Sequence, residues 1–289
     1  MENGVAAVSP SRCPLAPGRQ SLAFVWIEIT QPAVQRVDVS PDLRRSLPGA
    51  LNLTPLGDAS APWLALSRCP LLRPAVFVDV VSRWEANGCP FQPGIAWRQD
   101  AWIEAFPQFR DELSELPAEL DRPLVDQVIG DLDETTDGVT LAFVVSMAWG
   151  YGKVGYGPDR VQKTLSAPAV SGSLIQVTKI VRRDGASAGY RALASKWRVR
   201  GLGPAFGTKF LYFQSRSSPR PLILDRLIGK WFQEKVKISL TTGAWKPGSY
   251  DLYLKTMNEW SQGVGVDPET LEMIIFMDEA DAAGGQWAT

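Results

Sequence analysis

The stretch that decides the fold is Lys196-Trp197-Arg198-Val199-Arg200-Gly201-Leu202-Gly203-Pro204-Ala205-Phe206-Gly207-Thr208-Lys209-Phe210-Leu211-Tyr212-Phe213. It reads as the end of one helix over 189–199, a tight hairpin over 200–204 and a second helix over 205–215. Glycines on both sides of Leu202 let the chain reverse sharply and bring backbone N–H groups up to an anion at the start of the second helix. A DNA phosphate is such an anion. Taken alone a GxG is a weak signal, but here apolar residues line both flanking helices and Gly207 offers a small residue where helices approach.

Downstream, 215–221 reads as a loop, Leu222-Ile223-Leu224 leads into Asp225, and helices are expected over 226–236, 250–262 and 268–277. Upstream, an apolar helix over 140–149 breaks at the glycine-rich Trp149-Gly150-Tyr151-Gly152-Lys153-Val154-Gly155-Tyr156-Gly157-Pro158. Residues 131–137 form a polar acidic loop. The pattern over 76–120 is helical, punctuated by Leu116-Pro117 and by Asp121-Arg122-Pro123. Residues 1–60 are rich in Pro, Gly and Ser, with one apolar run over 22–29 that fits either a strand or a short helix. No internal repeat is visible.

Composition narrows the chemistry. The 289 residues contain no histidine, which removes Ser-His-Asp and Cys-His catalysis and the His/Cys zinc site of the nucleobase deaminases. What remains is carboxylate, lysine, hydroxyl, aromatic and backbone chemistry. Cys13, Cys69 and Cys89 are an odd set with no CxxC pair, an argument against a disulfide framework or a four-cysteine zinc site. No stretch reaches the roughly 18 apolar residues of a membrane span, and the N-terminus lacks the blocks of a signal peptide, so the expected location is the cytoplasm.

The net charge of −1 conceals an asymmetry. Between Lys179 and Lys237 fourteen Lys or Arg stand against three acids, whereas between Asp100 and Asp137 twelve acids stand against Arg110 and Arg122. Two solvated faces of opposite sign would explain this. A basic segment of such density is also the electrostatic footprint that a phosphate backbone requires.

The hairpin, Gly207 and the segment Pro221-Leu222-Ile223-Leu224-Asp225 together resemble the helix-hairpin-helix motif, Gly/Pro-rich loop and aspartate of the base-excision DNA glycosylases. The interval from Gly201 to Asp225, 24 residues, is similar to theirs. The resemblance covers about 141–232, since 141–165 is similar to the helix and pocket loop that precede the hairpin. It extends to bacterial proteins with the 8-oxoguanine-glycosylase fold. It implies a mainly all-α fold of two helical subdomains, with a DNA-binding cleft between them. The expected division is an N-terminal region over 1–138 that partly joins a helical subdomain, a glycosylase core over 139–237, and C-terminal helices over 238–289. Double-stranded DNA containing a modified base is the implied partner, with no membrane involved, and the sequence names no protein partner. No metal or organic cofactor is implied, and the cysteine cluster of the iron–sulfur relatives is missing after Asp225.

Within that resemblance Asp225 takes the catalytic aspartate's place. Breaking the base–sugar bond leaves positive charge on the deoxyribose, and a carboxylate about 4 Å away at an effective dielectric near 20 is worth about 4 kcal/mol, on the order of a thousandfold in rate. The plain structural reading makes Asp225 an N-cap for the helix that follows. The lyase lysine of relatives falls four residues after the first hairpin glycine, and that position here is Ala205, which favours a monofunctional enzyme. Lys209, one turn on, reads as a nucleophile, as a pocket or phosphate contact, or as a surface lysine. Arg200, Gly201, Leu202, Gly203 and Ala205 form the expected DNA grip. Ser146, Trp149, Tyr151 and Tyr156 form the expected base pocket, with aromatic core as the alternative for the rings. The excised base reads as an oxidised purine, for repair, or as a hypermodified phage base such as glucosylated hydroxymethylcytosine, for defence. The rival from another class is a non-catalytic DNA-binding protein that uses the hairpin only for grip, its acidic half free to dock a protein.

Overall fold

The computed structural model describes residues 75–282, so the apolar run at 22–29, Cys13 and Cys69 lie outside the described residues. Within them the protein is mainly helical. Helix α1 (Ala75–Ala86) is followed by a two-stranded antiparallel pair, β1 (Ile95–Ala96) against β2 (Glu119–Leu120), with Ile95 opposite Leu120. Between the strands lie α2 (Gln99–Ala105) and α3 (Arg110–Ser114). The strand pair departs from the uniformly helical pattern expected over 76–120. Gly88 and Cys89 both adopt positive φ, and prolines at 90 and 93 keep the chain from resuming a helix at once. Cys89 is disulfide-bonded, whereas the odd cysteine count argues against a disulfide framework.

The punctuation at 121–123 starts a helix instead of ending one. The Asp121 carboxylate accepts from the Leu124 amide at 2.8 Å and Pro123 occupies the first turn of α4 (Arg122–Asp131), the positions these residues favour. Helix α5 (Thr136–Tyr151) is capped by Thr135 and buried at Gly138, Val139 and from Leu141 to Trp149. A helix apolar on all sides belongs at the centre, and α4, α6 (Gly157–Leu165), α7 (Val170–Asp184) and α9 (Pro204–Gln214) pack around it. Sequence reading passed over α7, although Val170, Leu174, Val177 and Val181 mark one face at helical spacing.

Helix α8 (Ala186–Ala194) lies on α7, and the crossing is closest at Gly189, where a Cβ would come within 2.9 Å of Val181 and of Leu211 on α9. Helix α10 (Arg226–Trp231) ends in a widened turn at Phe232–Val236. Helices α11 (Pro247–Val264) and α12 (Pro268–Ala282) complete the fold, α11 on α8 and α12 on α10 and α1. One contiguous hydrophobic core runs through all of these elements. Each of its fully buried large side chains contributes about 1.5–3 kcal/mol.

A charged pair sits inside that core. Arg122, at the start of α4, makes a bidentate pair with Glu272 of α12 at 2.6 and 3.1 Å and donates a third bond to Gln92 at 2.7 Å. Its guanidinium also lies 5.5 Å from the rings of Trp149 and Tyr212. Burial opposes the charge, but Glu272 and Tyr212 hold the guanidinium proton more tightly than usual. Among the described residues, no helix is long and apolar enough to cross a membrane.

Candidate active site

The hairpin forms where expected, between α8 and α9. Gly201 has φ of +89° and a side chain there would also meet the Thr164 hydroxyl, so glycine is required on two counts. Gly203 is different. It is the N-cap of α9 with φ −91° and ψ 171°, and nothing lies within 4 Å of where its Cβ would be. The first-turn amides of α9 therefore start beside open space, at the positive end of the helix dipole. Exposed Arg198 and Arg200, with Val199, Gly201 and Leu202, line a hollow of about 420 Å³ at this corner.

Trp245 staples the hairpin from outside. Its indole N–H donates to the Leu202 carbonyl at 3.2 Å, and its ring lies over Gly207, where a Cβ would come within 2.4 Å of it. Gly207 thus makes room for an indole, whereas the tight helix crossing is at Gly189.

At the same helix, one turn further in, Lys209 Nζ stands 3.2 Å from Asp225 Oδ2, with both side chains about one-eighth exposed. The other carboxylate oxygen, Oδ1, accepts from the Leu227 and Ile228 amides at 3.0 and 3.2 Å and caps α10. The capping role and the ion pair use different oxygens of one carboxylate.

Three residues absent from the sequence reading fix this pair. Thr208 accepts from the Leu224 amide at 3.0 Å and donates to the Pro204 carbonyl at 2.9 Å. Tyr250 and Tyr253 of α11, both wholly buried, donate to the carbonyls of Leu222 and Ile223 at 2.9 and 3.0 Å. Burial pushes both phenols well above their ordinary range, so they remain donors. The 222–224 segment leading to Asp225 is irregular backbone inside the core, and such a segment must find partners for its amides and carbonyls. A pattern of apolar residues reveals the burial but not which hydroxyls answer it.

Of the expected pocket residues, Trp149 and Ser146 are buried, Ser146 donating back to the Ala142 carbonyl at 2.7 Å. Trp149 packs edge-on against Phe213, and its buried indole N–H has no hydrogen-bond partner among the described residues. Tyr151 is half-buried and stacks on Phe206 with centroids 4.2 Å apart. Tyr156 is 59% exposed, edge-on to Tyr151 at 5.9 Å and beside the Arg160 guanidinium. Burial raises the Tyr151 phenol, with Arg160 opposing. The Lys209 ammonium lies 5.9 Å from the Trp149 ring and 5.7 Å from the Phe206 ring. The structure thus gathers Trp149, Tyr151, Lys209 and Asp225 around α9, with Phe206 added and Tyr156 at the outer end. Ser146 stays inside α5, and half-buried Ala205 sits one turn before Lys209, towards the hairpin.

Compared with known proteins, residues 88–276 match the model of a family described as "Putative 8-oxoguanine DNA glycosylase OGG-like protein". The match covers more than half of the chain and takes in the hairpin, Lys209 and Asp225. No curated protein and no solved structure matches the chain.

Proposed function

The chain belongs to the OGG-like family of 8-oxoguanine DNA glycosylase type, and from that premise we propose that it turns a modified base out of double-stranded DNA and hydrolyses the N-glycosidic bond. The observation that carries this reading is the Lys209–Asp225 pair, held midway along α9 by a hydrogen bond between the residues that precede each member.

As the glycosidic bond lengthens, positive charge develops on the deoxyribose and electrons pass to the departing base. Asp225 Oδ2 stabilises the first charge, and the Lys209 ammonium beside it is placed to offset the second. Water adds its oxygen to C1′, its proton ends on the base or in solvent, and an abasic sugar remains. The hairpin amides with Arg198 and Arg200 grip a phosphate. Tyr151 and Phe206 provide an aromatic ledge for the extruded base, with Tyr156 at its rim, and Trp149 lies behind Lys209 as the wall. An oxidised purine is the substrate class that the family's description favours.

The test is incubation with duplexes that carry single modified bases, from 8-oxoguanine to glucosylated hydroxymethylcytosine, with mass spectrometry for free base. Release from an oxidised purine duplex supports the proposal, and release from the bulky pyrimidine alone moves the substrate class. Asp225→Asn is expected to lower release by roughly a hundredfold or more while DNA binding persists, because the charge matters only as the sugar becomes cationic. DNA binding with no base released from any duplex would identify a grip without chemistry.

A further inference from the structure

A lysine stem has four rotatable carbons, and most lysines on helices extend into water. Lys209 does not. Its side chain is only 12% exposed and its ammonium is turned onto Asp225. The reason lies on the facing helix. Gly150, in the last turn of α5, has no side chain, and a Cβ built there would come within 3.0 Å of Lys209 Cδ and 3.0 Å of the Phe206 ring edge. The backbone at Gly150 thereby forms the floor of a channel for the lysine stem. Phe206, three residues before Lys209 and so on the same face of α9, provides one side. Trp149 provides the other.

We infer that Gly150 is a positioning residue, acting through Lys209: the missing Cβ admits the aliphatic stem between α5 and α9 and so delivers the ammonium to Asp225. The glycine is otherwise unfavourable where it stands, since alanine is the better residue inside a helix. Its φ is unexceptional, because it is not among the positive-φ glycines. The stem it accommodates is what distinguishes the position.

The consequence for activity rests on the proposed glycosylase reading, whereas the geometry does not, and two measurements separate them. The first is competitive acetylation of the intact protein, read by peptide mass spectrometry, with exposed Lys255 as internal standard. Wild-type Lys209 should react slowly. Gly150→Ala should raise its rate several-fold, towards that of Asp225→Asn, with other lysines unchanged and the melting temperature at least maintained. Phe206→Leu opens the same channel from its side and gives the same reading if the alanine variant folds poorly. An unchanged Lys209 rate in both variants overturns the inference.

The second measurement is base release. Gly150→Ala should lose about tenfold in kcat with DNA affinity retained, and adding Gly150→Ala to Lys209→Ala should cost nothing more. A further loss in the double variant would show that Gly150 acts through something other than Lys209 and would overturn the inference. Faster Lys209 acetylation in Gly150→Ala, with no base released even by the wild-type protein, would defeat the glycosylase reading and leave the positioning role standing.

Discussion

Thr208 and Leu224 are joined by a hydrogen bond of 3.0 Å one residue before Lys209 and Asp225 meet at 3.2 Å. Helix α9 and the buried segment at 222–224 are therefore registered by two successive contacts, a buried neutral bond and a largely buried ionic one.

Replacing Thr208 with valine keeps the shape but strands the buried Leu224 amide. The expected loss is about 1–3 kcal/mol of stability, measured by denaturant unfolding, with base release down by roughly tenfold or more at temperatures where the variant is folded. A variant that loses neither would show that the register is set elsewhere.

At the hairpin, Gly203 has open space and an ordinary φ, so Gly203→Glu is expected to fold with an unchanged melting temperature. It places a negative charge beside the first-turn amides and should weaken binding to all DNA alike. Arg200→Ala should reduce the slope of log affinity against log salt by about one. Titrations at several salt concentrations read both, and unaltered affinity in Gly203→Glu would remove the grip from this corner.

Arg122 and Glu272 are expected to behave as a unit. Either partner removed alone leaves a buried charge and should cost about 3–5 kcal/mol, whereas Arg122→Met with Glu272→Leu should recover most of it. Strictly additive losses in a double-mutant cycle would show that the two do not act as a pair.

The product of the reaction is expected to be an intact abasic strand, cut only by hot alkali. Ala205 offers no amine, and the Lys209 amine is engaged with Asp225. Lys209→Ala should lower base release without abolishing it. Borohydride trapping of the wild-type protein on DNA, lost in that variant, would make Lys209 the nucleophile instead.

Much of this was legible in the sequence where it depends on local backbone demands. The Gly201 turn, the α9 start at Pro204 and the Asp225 cap are set by residues next to one another, and α5, α9, α10, α11 and α12 lie within about five residues of their expected places, whereas the helix before the hairpin ends at Ala194 instead of 199. What escaped depends on distant side chains. Thr208 reads as an ordinary helical threonine until the 222–224 segment lies beside it, and Tyr250 and Tyr253 read as one more apolar face. Gly150 reads as a loop glycine, yet it ends a helix and its neighbours come from α9. The acidic stretch at 100–137 and the basic one at 179–237 read as opposed faces, but Asp126 of one pairs with Arg220 of the other at 2.6 Å.

The division of labour between the two oxygens of Asp225 has a practical use. An asparagine at 225 retains an oxygen for the Leu227 and Ile228 amides, so the helix keeps its start while the charge proposed to act on the sugar is gone. On the proposed reading, such a protein is a bait. Fixed to a resin and washed with fragmented genomic DNA, it would retain the pieces that carry the lesion it can no longer remove, and their nucleoside content would identify that base without a prior guess.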